Sequence, residues 1–441
     1  MRLFPENKPV KHLMVAAAVI MVIVAAILYH FWYLEPVVDR RNGSFGQEIY
    51  VWQRQWGAVV SKALNQAAGQ TSGFTVLAAE VSWKGEKADR IVRVPIDYNT
   101  LKATGRPVGI ALRIGPYSGP FDKRGEAANF LTGLASSLIA EAREEGLEPV
   151  ELQIDFDCAE SKLNGYRKWV EAFREKISPV PVVITVLPCW LNERAFKALA
   201  RAGDGFVLQV HSLEQPKGPE DTITLCDSKV AVRWVEQAAR TGVAFRVALP
   251  TYGYLVTFNK EGRFIGLTAE GPSQTWDEGT ILRNVSSEPD TLAKLVRGWQ
   301  EDRPCTMQGV IWYRLPVETD SLNWKWVTLS AIMAGRIPRK GLRVEVEYPE
   351  PELAEIVLVN DGETDQSAGA SIEIGCEGED VIAADGLRGY VFTRTDSANI
   401  CLQHHGEKIF STIRAGERWK IGWIRFKQEM EVKTHVSSLQ P

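Results

Sequence analysis

The sequence predicts an α/β fold: a TIM (β/α)8 barrel with an N-terminal transmembrane helix and a small C-terminal β-sandwich. Three observations predict it. Residues 13–34 are apolar or aromatic apart from His30. The middle of the chain alternates β-branched runs with Ala- and Glu-rich helical stretches, and beyond Pro338 short runs alternate apolar and polar residues between turn signals. At 441 residues, 45% hydrophobic and 24% charged, the chain has apolar mass for more than one core and is neither disordered nor fibrous. Its 51 basic and 55 acidic residues leave a net charge of -4, so no basic field exists to gather phosphates. Nucleic acid is not an expected partner.

Residues 1–11 read as a cytoplasmic tail and 12–34 as a transmembrane signal anchor, long enough as a helix to cross a hydrocarbon layer of ~30 Å. Arg2, Lys8 and Lys11 precede the span, while Glu35, Asp39, Arg40 and Arg41 follow it. The modest positive-inside bias places a single pass in the inner membrane and the bulk in the periplasm or extracellular space. Tyr29, Trp32 and Tyr33 stand where an interfacial aromatic belt holds the outer end. No small-residue cleavage pattern follows promptly, which favours an uncleaved anchor over a cleaved signal peptide. Residues 35–46 form a linker.

The barrel is expected over residues 47–338. Its strands are Glu48 to Trp52, Phe74 to Trp83, Val108 to Ile114, Val150 to Asp157, Val182 to Leu187, Gly205 to His211, Ala244 to Pro250 and Gln308 to Tyr313. Helical periodicity falls at Glu126 to Glu145, Leu163 to Lys176, Asn192 to Arg201, Ser228 to Arg240 and Ser321 to Ala334. The stretch between Leu255 and Trp299 reads as an insertion over the seventh strand. Cys158 and Cys189 end successive strands, and Cys376 and Cys401 share the late β-rich region. Either couple fits a disulfide or a pair of free thiols.

Strand carboxyl ends carry the chemistry of such a barrel. Here they offer Trp52 and Gln53, Glu80 with Trp83, Arg113, Asp155 with Asp157, Trp190, His211, Tyr252, and Trp312 with Tyr313. Four of the 14 tryptophans fall at these ends, where an indole lays its apolar face on a sugar ring and its N–H on a hydroxyl. The plainer reading is that large rings plug the barrel mouth. The expected partner is a polysaccharide or oligosaccharide.

Leu152 to Cys158 reads Leu-Gln-Ile-Asp-Phe-Asp-Cys, so the period of two puts Gln153, Asp155 and Asp157 on one face. This row resembles the fourth strand of the chitinase-like barrels of glycoside hydrolase family 18, whose alternating acids end in an acid-catalyst Glu. Ala248-Leu-Pro-Thr-Tyr-Gly253 and Gly309-Val-Ile-Trp-Tyr313 resemble two further segments of that family. The chain as a whole is similar to an uncharacterised bacterial family known as a domain of unknown function.

The resemblance implies hydrolysis in which a substrate acetamido group attacks the anomeric carbon, an Asp holds the resulting cation, and a Glu two residues later protonates the leaving oxygen. Position 159, where that Glu is expected, is Ala. Glu160 would face the other side of an unbroken strand, and Val210-His211-Ser212 replaces the family's Tyr-Asp pair. An acid from elsewhere is therefore sought. Glu80 is the first candidate second carboxylate, with Glu318 and Asp320 behind it, and His211 titrates in the useful range. Against these stand plainer roles: Glu80 pairing with Arg113, and His211 satisfying a loop carbonyl.

The six histidines, at 12, 30, 211, 404, 405 and 435, place only one in the barrel, so no zinc site of His ligands is expected. Phosphate-cradling glycine motifs and a Gly-x-Ser-x-Gly elbow are missing, and no cofactor is expected. Residues 339–427 read as an Ig-like β-sandwich and 428–441 as a flexible tail. Two functions follow. One is a membrane-anchored enzyme of glycoside-hydrolase type acting on an envelope or extracellular polysaccharide through Asp155, Asp157, Glu80, His211 and Tyr252. The alternative is a catalytically inactive glycan-binding or scaffolding protein of an envelope assembly. In both, Trp52, Gln53, Trp83, Arg113, Gln153, Trp190, Trp312, Tyr313 and Glu318 contact the sugar. A third possibility is a structural component of an envelope machine that uses the sandwich as its contact, with protein partners left open.

Overall fold

The computed structural model describes residues 19–21, 38–211, 215–269, 276–369, 371–375, 380–394, 399–405 and 412–437. The expected anchor lies outside the described residues except for the helical residues 19–21. Among the described residues no helix is long and apolar enough to cross a membrane.

Eight parallel strands close into a barrel: β1 Gly46–Val51, β2 Gly73–Lys84, β3 Val108–Ile114, β4 Leu152–Phe156, β5 Val182–Val186, β6 Gly205–Gln209, β7 Phe245–Pro250 and β8 Met307–Tyr313. Each pairs with the next, and β8 returns to β1. The helices that follow them are α1 Ala58–Ala68, α2 Tyr98–Ala103, α3 Glu126–Glu144, α4 Leu163–Ile177, α5 Arg194–Ala202, α6 Ser228–Ala239, α7 Pro289–Glu301 and α8 Trp326–Met333.

Local sequence explains these elements. β5 reads Val-Val-Ile-Thr-Val and is buried along its whole length, as a strand with helices outside and barrel interior inside must be. On α4, Tyr166, Trp169, Val170, Phe173 and Ile177 recur at helical spacing and are all buried, so one stripe seats the helix on the sheet. Asp227 caps α6 by accepting from the Lys229 and Val230 amides, and Pro289 occupies the first turn of α7, where its missing N–H costs nothing. At the seam, Gly309 faces Gly46 across the β8–β1 ladder. A Cβ on Gly309 would lie 2.3 Å from the Gly46 carbonyl oxygen, so the ladder closes there because Gly309 carries no side chain.

Alternate residues fill the interior in layers. Near the strand amino ends Arg246 donates to Glu48 at 2.5 Å and Glu151 at 2.6 Å. Above them the Tyr50 hydroxyl donates to Gln153 at 2.5 Å, among Leu77, Ala111, Val183, Val207, Ala248 and Ile311. The channel is thus plugged below its mouth.

The insertion is shorter than expected. Gly253–Phe258, Phe264–Thr268 and Ile281–Ser286 form a three-stranded antiparallel sheet, but residues from Pro289 onward are the barrel's own α7. A second departure is the hairpin in which Lys87–Arg93 pairs antiparallel with the end of β2.

Beyond the barrel, Leu342–Glu350, Leu353–Asn360, Arg418–Phe426 and Val381–Gly386 form one antiparallel sheet, and Tyr390–Arg394, Asn399–His404, Ser371–Gly375 and Lys433–Ser437 form another. Ile356, Leu358, Ile421 and Ile424 of the first share a buried cluster with Ile372, Ile374 and Leu402 of the second. The expectation of a flexible tail from 428 is corrected. Lys433–Ser437 pairs with Ser371–Gly375, and the buried Val432 holds its start against the core. Among the contacts that join this module to the barrel, Thr328 of α8 donates to the Glu363 carbonyl. Glu363 receives two hydrogen bonds from Arg336 and one from the Arg339 amide, and Arg414 donates to the Asn323 carbonyl.

Candidate active site

A cavity of about 410 Å³ opens at the carboxyl ends of the barrel strands. Its acidic side is made by β4. Because the strand alternates, Gln153 stays in the plugged layer, Asp155 reaches the cavity floor and Asp157, just past the strand end, stands at the rim. Asp155 is buried and accepts from the Thr185 hydroxyl at 2.8 Å, while Arg113 Nε lies 3.8 Å from it. Burial pushes the Asp155 carboxyl up, with Arg113 and Thr185 acting against that rise. Asp157 is raised to about 6, first by desolvation and then by the neighbouring Asp155 charge. The two carboxyls behave as a coupled pair that retains a proton close to neutrality.

The opposite wall is aromatic. Trp52, Tyr252, Tyr254 and Tyr313 line it. Trp52 and Tyr313 meet edge-on at 5.5 Å, and His211 stacks on Tyr313 at 5.7 Å. His211 Nδ1 is 3.4 Å from the Tyr252 hydroxyl, which is 3.0 Å from that of Tyr254. Desolvation lowers His211 to about 4, so its ring is neutral at physiological pH. Burial raises Tyr252 and Tyr313, which keeps both phenols protonated.

The cavity therefore gathers Trp52, Arg113, Asp155, Asp157, His211, Tyr252 and Tyr313 from the expected set. The others lie elsewhere. Trp312 precedes Tyr313 and so points the opposite way; it is fully buried, packs near Trp324 and donates to Gln47. Trp190 belongs to a turn after β5, fully buried, with its N–H on the Cys158 carbonyl. Trp83 lies where β2 overshoots the barrel into its hairpin, among Tyr117, Phe130 and Trp169. These three form walls and outer packing, not a sugar platform. Gln53 donates to the Leu315 carbonyl, Gln153 lies in the plug, and Glu318 is exposed and paired with Lys62.

Glu80 reaches the same side as Arg113 because a register shift between Leu77 and Ala79 changes the parity of β2. It is engaged there: Arg54 donates to it twice, at 2.6 and 3.0 Å. Asp320 is held by Arg314 at 2.5 Å. Glu160 sits in a short turn after β4 and is not among the residues that line the cavity, so it does not replace the acid expected at Ala159. Cys158 and Cys189 are free thiols, as is Cys401, while Cys376 lies outside the described residues.

Sequence reading missed Arg54, Thr185, Gln209, Tyr254 and Arg314, all of which line the cavity. Thr185 and Gln209 were accessible by counting alternate positions along β5 and β6. Arg54 and Arg314 follow strand ends, where periodicity says nothing of direction, and Tyr254 lies on the first strand of the insertion, outside the barrel's own alternation. Among the described residues no group of three or more His, Cys, Asp or Glu is arranged to hold a metal ion. A larger groove of about 1000 Å³ runs between the Ile281–Ser286 strand and the module's 364–367 turn. Its only lining aromatic, Trp324, is buried with its N–H on the Ser287 carbonyl, and it has no paired acids facing rings.

No curated protein matches the chain. Among solved structures it is similar to the spore cortex-lytic enzyme SleL of Bacillus megaterium QM B1551, at 12% identity over 67% of this chain and 75% of that one, with a TM-score of 0.48. Against a chitinase from Chromobacterium violaceum ATCC 12472 the figures are 14%, 66%, 98% and 0.42. Residues 104–318 match the family described as Domain of unknown function (DUF3142), and residues 344–427, the module, match Domain of unknown function (DUF8456).

Proposed function

We propose that the barrel mouth cleaves a saccharide of the cell envelope or extracellular matrix. Asp157 gives its proton to the glycosidic oxygen as the C–O bond breaks, Asp155 stabilises the positive charge that develops on the sugar, and a water molecule adds to the anomeric carbon and returns a proton to Asp157. The observation that carries this reading is the coupled Asp155–Asp157 pair facing an aromatic wall. A carboxyl raised to about 6 still holds a proton where an ordinary aspartate has lost it, which general-acid catalysis requires. Asp155, oriented by Thr185 and faced by Arg113, is the partner better placed to remain ionised. Trp52 and Tyr313 line the cavity and supply an apolar side against which the C–H face of a pyranose can lie. His211, neutral, orients the Tyr252 hydroxyl.

The proposal includes a single-pass anchor at residues 12–34 holding the barrel on the outer side of the inner membrane. Support comes from the run's length and flanks, and from Val19, Ile20 and Met21, which are helical and largely exposed, as lipid-facing residues are.

The test is release of reducing ends from purified envelope polysaccharides by the full chain. Asp157→Asn is expected to lower turnover by roughly 10²-fold or more, the usual worth of a general acid, while saccharide binding persists. Unchanged turnover in that variant would remove Asp157 from the chemistry. A second reading, a glycan-holding protein without catalysis, is favoured by Ala159, by the engagement of Glu80 with Arg54 and by the position of Glu160 outside the cavity lining. Saccharide binding without turnover in the wild type selects it.

A further inference from the structure

We propose that the saccharide accepted at the mouth carries a carboxylate, as a uronic acid does, and that Arg113 is the residue that selects it. This rests on the reading of the mouth as a saccharide site. Three guanidinium groups line the cavity, from Arg54, Arg113 and Arg314, against the two carboxylates of Asp155 and Asp157. Two of the three are committed. Arg54 makes a two-point contact with Glu80, and Arg314 is divided between Asp320 and the Ala269 carbonyl.

Arg113 differs. Its Nε lies 3.9 Å from Glu80 and 3.8 Å from Asp155, beyond hydrogen-bond length, and those carboxylates already accept from Arg54 and Thr185. Among the described residues none accepts a hydrogen bond from it. Its side chain is 40% exposed and projects from β3 into the cavity, so the position is fixed by the barrel while the donors remain open.

A guanidinium is a planar fork of N–H groups that matches the two oxygens of a carboxylate, and each such charge-assisted bond is stronger than one to a sugar hydroxyl. With Trp52 and Tyr313 lining the same cavity, one ligand ring can lie against these side chains while its carboxylate meets the fork. A neutral sugar would offer the open donors of this cation only hydroxyls, with the Glu80 and Asp155 carboxylates staying at 3.9 and 3.8 Å.

Calorimetric titration of the full chain with hexamers of galacturonate and of mannuronate, against cellohexaose and chitohexaose, tests the inference. At least one acidic hexamer is expected to bind more tightly than both neutral ones, and its binding to weaken with added salt. In Arg113→Gln the ratio of acidic to neutral affinity should fall by about tenfold or more, with Arg113→Lys intermediate because it keeps the charge and loses the fork. Neutral hexamers bound as tightly as acidic ones, or a ratio unchanged by Arg113→Gln, would overturn the selection by Arg113 and leave the saccharide reading standing. Binding of none of the four would remove both.

Discussion

Two aspartates two positions apart on one strand face a single cavity, and their surroundings divide them. Asp155 has a hydroxyl donor and a nearby guanidinium; among the described residues none donates a hydrogen bond to Asp157 or forms an ion pair with it, and it is raised first by desolvation and then by the Asp155 charge. His211 provides the opposite case. Its pKa is lowered from 6.5 to about 4 by burial, so the unfolded chain binds its proton first as the pH falls. The stability it contributes is present above pH 6.5 and lost as the pH drops through 4. Thermal unfolding followed across that window should show a steeper loss in the wild type than in His211→Gln; parallel curves would mean that the ring is not desolvated. At this scale the acidic row was legible, because alternation along Leu152 to Cys158 needs only the strand period. The tryptophans were not. Trp312 and Tyr313 are neighbours and must point to opposite sides, so only one of them could face a ligand.

At the scale of elements, the barrel is written in β-branched runs and amphipathic stripes, and the eight strands stand where those runs are. What periodicity does not carry is a change of parity. The register shift in β2 between Leu77 and Ala79 turned Glu80 toward Arg113 without any mark in the local pattern. Likewise the expected insertion swallowed α7, because no strand separates that helix from the antiparallel sheet before it. The β8–β1 seam gives a direct check on closure. Gly309→Ala places a methyl group 2.3 Å from the Gly46 carbonyl oxygen, and since both atoms belong to the strand backbones, relief requires the ladder to move. A loss of about 1–3 kcal/mol in denaturant unfolding is expected; an unchanged midpoint would show that the seam is looser than the register implies.

Across the whole molecule, barrel and module are joined near the barrel mouth. Arg414 of the module holds the carbonyl of Asn323, and the Asn323 side chain holds the carbonyl of Arg314, a cavity residue. The loop after β8 is thus fixed from both sides, a connection invisible in sequence because its members are 91 and 9 residues apart. The most direct test of the central claim is a ¹³C carboxyl titration of labelled aspartates in the wild type, Asp155→Asn and Asp157→Asn. A resonance titrating near 6 should vanish in Asp157→Asn and move to lower pH in Asp155→Asn, where the repelling charge is gone. If Asp157 instead titrates near the ordinary carboxylate value of ~3.9 in the wild type, and is indifferent to the loss of Asp155, the mouth holds no proton to give.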